Sequence, residues 1–226
     1  MSNLYEISEV VKTYSKGREQ VIALNKVDLV IASGEHIAIQ GPTGGGKSTL
    51  LQMLGALDRP SSGRVMFDGE DLAKKSNPSL TQIRAKSIGF VFQNYNLVPT
   101  LTALENVEAS LAPLRMARRE RRRVSKEVLS SVGLGDRMNH LPAELSGGQQ
   151  QRVAIARAMA KKPRVILADE PTGNLDEATR DEIVDLLEKL RKDNGITLII
   201  VTHDSHVAKR ADRRLKISAG KLTTIS

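Results

Sequence analysis

The chain has 226 residues, 40% of them hydrophobic, a formal charge of +8 and no cysteine. It can bury a real core, as one large domain or a core with an inserted lobe, and it cannot form disulfides or thiolate metal sites. No apolar run approaches the roughly 18 residues that cross a bilayer, and Met1 to Glu6 resembles no export signal, so a cytoplasmic location is expected.

The charge favours an anionic partner, whether nucleotide, nucleic acid or an acidic membrane surface. The first third is rich in β signals, and strands are expected at 5–11, at 21–31 with a break at Asn25-Lys26, and at 36–40. The third runs into Gly41-Pro42-Thr43-Gly44-Gly45-Gly46-Lys47-Ser48-Thr49. Leu50, Leu51, Leu54 and Leu57 then recur as one stripe of a helix, which places the glycine loop at a helix N-terminus. First-turn N–H groups have no intrahelical partner there and carry the positive end of the macrodipole, so an anion belongs at this point. Lys47 is expected to reach the β- and γ-phosphates of a nucleotide, and the Ser48 hydroxyl to ligate the accompanying Mg2+.

Further on, a turn at 60–63 leads to a short strand pair at 64–69, and 87–93 reads as a buried strand ending in Gln93. From 94 to about 144 the pattern is helical, with Val124, Val128, Leu129 and Val132 in phase. The run Arg118 to Arg123 reads first as a solvated helix face and second as attraction to an acidic inner leaflet; nucleic acid is disfavoured because no aromatic platform is interleaved. Strand, helix and strand follow at 164–169, 177–193 and 197–202, which implies a parallel sheet with crossover helices, and 213–218 with 221–225 reads as a closing hairpin.

Two more stretches carry chemistry. The apolar strand 165–169 delivers Asp169 and Glu170 to its C-terminal end, as a Walker B strand does: Asp169 to hold Mg2+ through water, Glu170 to polarise the attacking water. Leu145-Ser146-Gly147-Gly148-Gln149 opens a second helix at a glycine-rich start. Two phosphate-binding helix N-termini in one chain make sense if each nucleotide is held between two chains.

Together these motifs resemble the nucleotide-binding domain of an ABC transporter over essentially the whole length. The resemblance implies an α/β fold: a P-loop NTPase, RecA-like core with an N-terminal antiparallel β subdomain at 1–93 and 161–226, and an inserted α-helical subdomain at 94–160 carrying the signature Ser146, Gly147, Gly148 and Gln149. It also implies that Gln93 is the Q-loop glutamine, a metal ligand and part of the catalytic set with Lys47, Glu170 and His203, the last as the switch histidine. Asp176 would lie in the D-loop of the dimer interface and Tyr14 would stack on adenine, with Tyr5 as the alternative aromatic. The implied cofactors are ATP and Mg2+, bound by Gly41 through Thr49. The implied partners are a second copy, head to tail, and an integral membrane permease-type subunit, at the cytoplasmic face of the inner membrane. Leu97, Val98 and Leu101 would edge the groove that receives that subunit.

The stretches 168–176 and 54–60 are similar to the class serving lipoprotein release, macrolide or peptide export and the cell-division complex. A regulatory ATPase that transports nothing is the alternative within that class, and a soluble ATPase acting on nucleic acid the alternative outside it. The loop departs from the usual pattern at Thr43 and Gly45, where backbone N–H donors survive and stiffness is what changes.

Overall fold

The computed structural model describes residues 2–17 and 19–225. In chain order the elements are β1 (Asn3–Lys16), β2 (Glu19–Ala32), β3 (His36–Gln40), α1 (Lys47–Leu54), β4 (Ser62–Phe67), β5 (Glu70–Asp71) and α2 (Asn77–Ser87). They continue with β6 (Ile88–Phe92), α3 (Ala103–Leu111), α4 (Arg118–Ser131), α5 (Gly147–Met159), β7 (Val165–Asp169) and α6 (Glu177–Asn194). The last are β8 (Thr197–Val201), α7 (Ser205–Lys209), β9 (Arg213–Ser218) and β10 (Lys221–Ile225). The chain divides into two compact units, one holding residues up to Thr81 and from Thr197 onward, the other Gln82–Ile196.

The first unit holds an antiparallel sheet in the order β2-β1-β4-β5. Its two long strands overrun the expected limits, and β2 is not broken at Asn25-Lys26. Lys26 instead takes a left-handed φ of 49°, and the register between β1 and β2 shifts around it, so a bulge absorbs what the sequence presents as a stop. The same unit sets β3 between β8 and β9, parallel to both, with β10 closing antiparallel on β9. All five residues of β8 and the first four of β3 are buried, which is why both read as unbroken apolar runs. Leu50, Leu51, Met53 and Leu54 bury the inner face of α1, but the helix stops at Leu54, where the Gly55 N–H donates to Leu51 O. Leu57 therefore lies past the helix, 53% exposed, and does not extend the stripe expected of it.

In the second unit β6 and β7 pair in parallel, and α5 packs on β6 and against α3, α4 and α6. Buried residues lie all round α5, including Val153, Ala154, Ile155, Ala156 and Ala158, as befits the central helix of the unit. Gly89 of β6 allows this approach, since a Cβ there would meet Ala158 O at 3.1 Å. The phase read in α4 is present, with Leu129 and, just past the helix, Val132 buried; Arg118, Arg119, Arg122 and Arg123 are exposed, while Arg121 is half-buried with its Nε shielded from water. Arg123 bridges Glu120 and Glu127 on its own helix, and Arg122 meets Glu108 at 3.4 Å. Exposed pairs of this kind contribute little to stability and leave the run as a solvated face.

Candidate active site

The glycine loop is made by main chain pressed on main chain. A Cβ on Gly41 would lie 2.1 Å from Ile217 O of β9, and one on Gly46 would lie 2.6 Å from Ala23 O of β2. Gly46 has φ +108° and Gly44 φ +76°, conformations that L side chains rarely adopt. The β9–β10 turn closes through Ala219 and Gly220 at positive φ. Its Gly220 N–H donates to Gly45 O at 3.1 Å, and Asn25 N–H donates to Gly220 O at 2.8 Å. Lys47 Nζ curls back on the loop, donating to Gly41 O at 2.7 Å and Pro42 O at 3.0 Å. No side chain among the described residues caps α1, and Pro42, Thr43, Gly44 and Ser48 are exposed, with Thr49 half-buried. The geometry is a cradle of backbone N–H groups with a cation at its rim.

Tyr14 and Tyr5 part company. Tyr5 is fully buried against Phe67, its hydroxyl donating to Leu54 O at 2.8 Å, so it belongs to the core. Tyr14 is 38% exposed. Its hydroxyl donates to Asp58 Oδ2 at 3.0 Å and to Gln52 Oε1 of α1 at 3.2 Å, which fixes the ring beside the helix that the glycine loop opens. Burial, then the bond to Asp58, raises the Tyr14 pKa. The β1–β2 register sets Tyr14 opposite Val21, itself 49% exposed, an apolar neighbour that sequence reasoning missed. His203 follows β8 beyond the buried Thr202 and is exposed, just ahead of the Asp204 cap of α7.

In the second unit the register pairs Phe92 with Asp169, so Gln93 and Glu170 leave adjacent parallel strands side by side. Asp169 and Glu170 are both half-buried, and Glu170 takes a left-handed φ of 46°. Gln93 Nε2 donates to Asn174 Oδ1, and Asn174 Nδ2 donates back to Gln93 O and to Asn94 Oδ1, each at 3.1 Å. The loop after Gln93 is laced down by two side chains that the sequence did not flag. Arg157 of α5 donates to Tyr95 O at 2.7 Å and to Asn96 O, both residues having positive φ. Asn106 of α3, 2% exposed, donates to the carbonyls of Val98, Leu101 and Thr102 and accepts from Val98 N–H. Val98 is left 45% exposed, and Leu97 and Leu101 are half-buried.

Ser146 is the N-cap of α5 in a reciprocal capping box: its Oγ accepts from Gln149 N–H at 3.3 Å while Gln149 Oε1 accepts from Ser146 N–H at 3.0 Å. Gly147 packs under Tyr95, and a Cβ on Gly148 would meet Thr179 Cγ2 at 2.5 Å. An open cleft of about 460 Å3 borders this helix start, lined by Ser146, Gly148, Gln149, Arg152, Thr179 and Glu182 among others. Asp176 caps α6, accepting from Thr179 N–H at 3.0 Å and Thr179 Oγ1 at 2.7 Å, bonds that lower its pKa.

The sequence profile described as ABC transporter matches residues 24–173. The chain belongs to that family. A curated relative from Thermotoga maritima, described as an uncharacterized ABC transporter ATP-binding protein, is 48% identical over 100% of this chain and 96% of its own. The lipoprotein-releasing system ATP-binding protein LolD of Geobacter metallireducens is 46% identical over 98% of this chain and 99% of its own. The macrolide export ATP-binding/permease protein MacB of Marinobacter nauticus is 45% identical over 97% of this chain, which spans 34% of that longer protein. Among solved structures, the ATP-binding cassette MJ0796, in a dimeric post-hydrolysis state bound to ADP and Pi, superposes with a TM-score of 0.89 at 44% identity, covering 98% of this chain and 99% of that one.

The protein is thus an ABC ATPase with the α/β cassette fold and ATP and Mg2+ as cofactors. The donor set fits them. In the first unit, uncapped N–H groups and an ammonium suit phosphate and the Ser48 hydroxyl is an oxygen donor of the kind Mg2+ takes; in the second, the Gln93 amide oxygen and the Asp169 carboxylate are donors of the same hard kind.

Proposed function

We propose that two copies close head to tail on two Mg-ATP, and that closure and hydrolysis drive a conformational change in an integral membrane permease-type subunit. Gly41 through Thr49 cradle the phosphates, with Lys47 countering their charge and Tyr14 stacking on adenine. Bound Mg2+ would neutralise charge developing on the phosphates. Ser48, Gln93 and Asp169 would hold it, Glu170 would accept the proton of the attacking water, and His203 and Gln93 would orient the reacting end. Ser146, Gly147, Gly148, Gln149 and Asp176 face the second copy. Residues 94–160 act as the helical subdomain that carries the signature, and Leu97, Val98 and Leu101 offer apolar surface to the membrane subunit.

The observation that carries the dimer reading is the start of α5: Ser146 is exposed at a glycine-rich helix N-terminus bordering an open polar cleft of about 460 Å3. Relatives named for lipoprotein release and macrolide export support a membrane partner. No helix of the described residues is long and apolar enough to cross a membrane, which suits a peripheral subunit at the cytoplasmic face. Contact of the α4 arginines with anionic lipid is compatible with that placement.

The test separates binding from turnover. Glu170→Gln keeps shape and hydrogen bonding but removes the base, so it is expected to bind ATP, lose hydrolysis by about a hundredfold or more, and accumulate as dimer under Mg-ATP. Sizing chromatography and phosphate release decide it; a parent-like rate from this variant would refute the role of Glu170.

A further inference from the structure

The mechanism gives no task to the buried amide of Gln151. Gln151, one turn into α5, is fully buried. Its Nε2 donates to Pro171 O, the carbonyl directly after Glu170, and its Oε1 has no hydrogen-bond partner among the described residues. Buried amides are ordinarily satisfied at both ends, so a half-satisfied one calls for a reason.

That reason lies in the turn it holds. Glu170 at φ 46° is a non-glycine residue in the left-handed region, which persists only where its surroundings over-determine it. Two restraints on the turn come from within it: Gly173 N–H donates to Glu170 O and Leu175 N–H to Thr172 O, both at 3.1 Å. A third comes from packing, because Gly173 lies so close to Gln93 that a Cβ would meet its Nε2 at 2.8 Å. From outside the turn, Asn174 is bonded to Gln93 and Asn94 at its far end, and Gln151 holds the carbonyl of Pro171, the residue that follows the strained one.

We propose that Gln151 is a positioning residue for Glu170. It ties the signature helix to the turn that carries the catalytic carboxylate, so that α5 and Glu170 keep one geometry. It touches no reacting group itself. The proposal rests on Glu170 being the base, and the test keeps the two ideas apart.

Gln151→Met keeps the volume and removes the donor. The expected result is a kcat lower by about tenfold to a hundredfold, the loss that a small misplacement of a catalytic group produces. The KM for ATP stays within about twofold, the melting temperature stays near that of the parent, and dimer accumulates under Mg-ATP. A parent-like kcat overturns the proposal. So does a loss of kcat accompanied by a rise in KM and a fall in melting temperature, or a variant that does not fold, since either makes Gln151 a packing residue. Failure of the base assignment shows separately, as hydrolysis by Glu170→Gln; a dead Glu170→Gln beside an unimpaired Gln151→Met sinks the positioning role alone.

Discussion

The glycine loop and the turn at Glu170 both hold unusual backbone, and they do so by opposite means. In the loop the constraint is absence: Gly41 and Gly46 have no Cβ because carbonyls of β9 and β2 occupy that space. At the turn and the neighbouring Gln93 loop the constraint is presence. Glu170, Tyr95 and Asn96 are ordinary residues at positive φ, kept there among hydrogen bonds from Gln151, Arg157 and Gly173. A phosphate cradle only has to present N–H groups at fixed positions, and main chain on main chain does this rigidly. A loop held by removable side-chain bonds can take a second arrangement when those bonds exchange.

The contrast breaks first at Gly41. Its Cβ would lie 2.1 Å from a backbone carbonyl that cannot rotate away, whereas at Gly44 there is open space and the cost is conformational. Gly41→Ala is expected to lose ATP binding and destabilise the fold by about 3 kcal/mol or more, against about 1 kcal/mol for Gly44→Ala. Urea unfolding and titration with a fluorescent ATP analogue measure both; equal effects would mean that the loop is not held by this contact.

A smaller effect sharpens the other side. Arg157→Leu keeps the buried stem but leaves the carbonyls of Tyr95 and Asn96 without their donor, at a cost of about 1 to 3 kcal/mol. The left-handed residues are expected to relax, so hydrogen exchange at 94–102 rises while exchange in β1 to β3 stays unchanged. Uniform exchange across the chain would show that Arg157 stabilises globally and has no particular hold on this loop.

The same division explains what could be read from the sequence. A cradle made of glycines declares itself at fixed spacing, because the residue type is the constraint, and strands buried on both faces declare themselves as apolar runs. The apparent break at Asn25-Lys26 and the helical place given to Leu57 failed for a related reason. The bulge is set by pairing with another strand, and the helix end by a local turn in which Leu57 N–H donates back to Gln52 O, and periodicity shows neither. Gln151 and Arg157 were illegible because nothing local marks them: their acceptors lie 20 and 61 to 62 residues away, and a glutamine or arginine inside a helix looks like surface until its burial is known; Asn106 has acceptors only 4 to 8 residues away, but the loop that presents them has no pattern of its own.

The least of the expected effects concerns the end of α5. Burial, then the charge of Arg157, pushes the Lys161 pKa from 10.5 down to about 8, while its Nζ donates to Arg84 O at 2.8 Å. The folded chain therefore releases this proton at lower pH than the unfolded chain does. Between pH of about 8 and 10.5 the unfolded state binds more protons, so this group adds stability as the pH rises through that window and withholds it below. Lys161→Met has no such dependence. The stability of Lys161→Met relative to the parent is then expected to fall by about 1 to 2 kcal/mol from pH 7 to pH 10.5, after discounting for the part of the side chain that water reaches. Urea unfolding of both proteins at the two pH values gives the difference, and the other titrating groups cancel in it. A difference that stays flat would show that the ammonium is solvated, and that the contact with Arg84 forms at the surface and not inside the unit that holds Arg157.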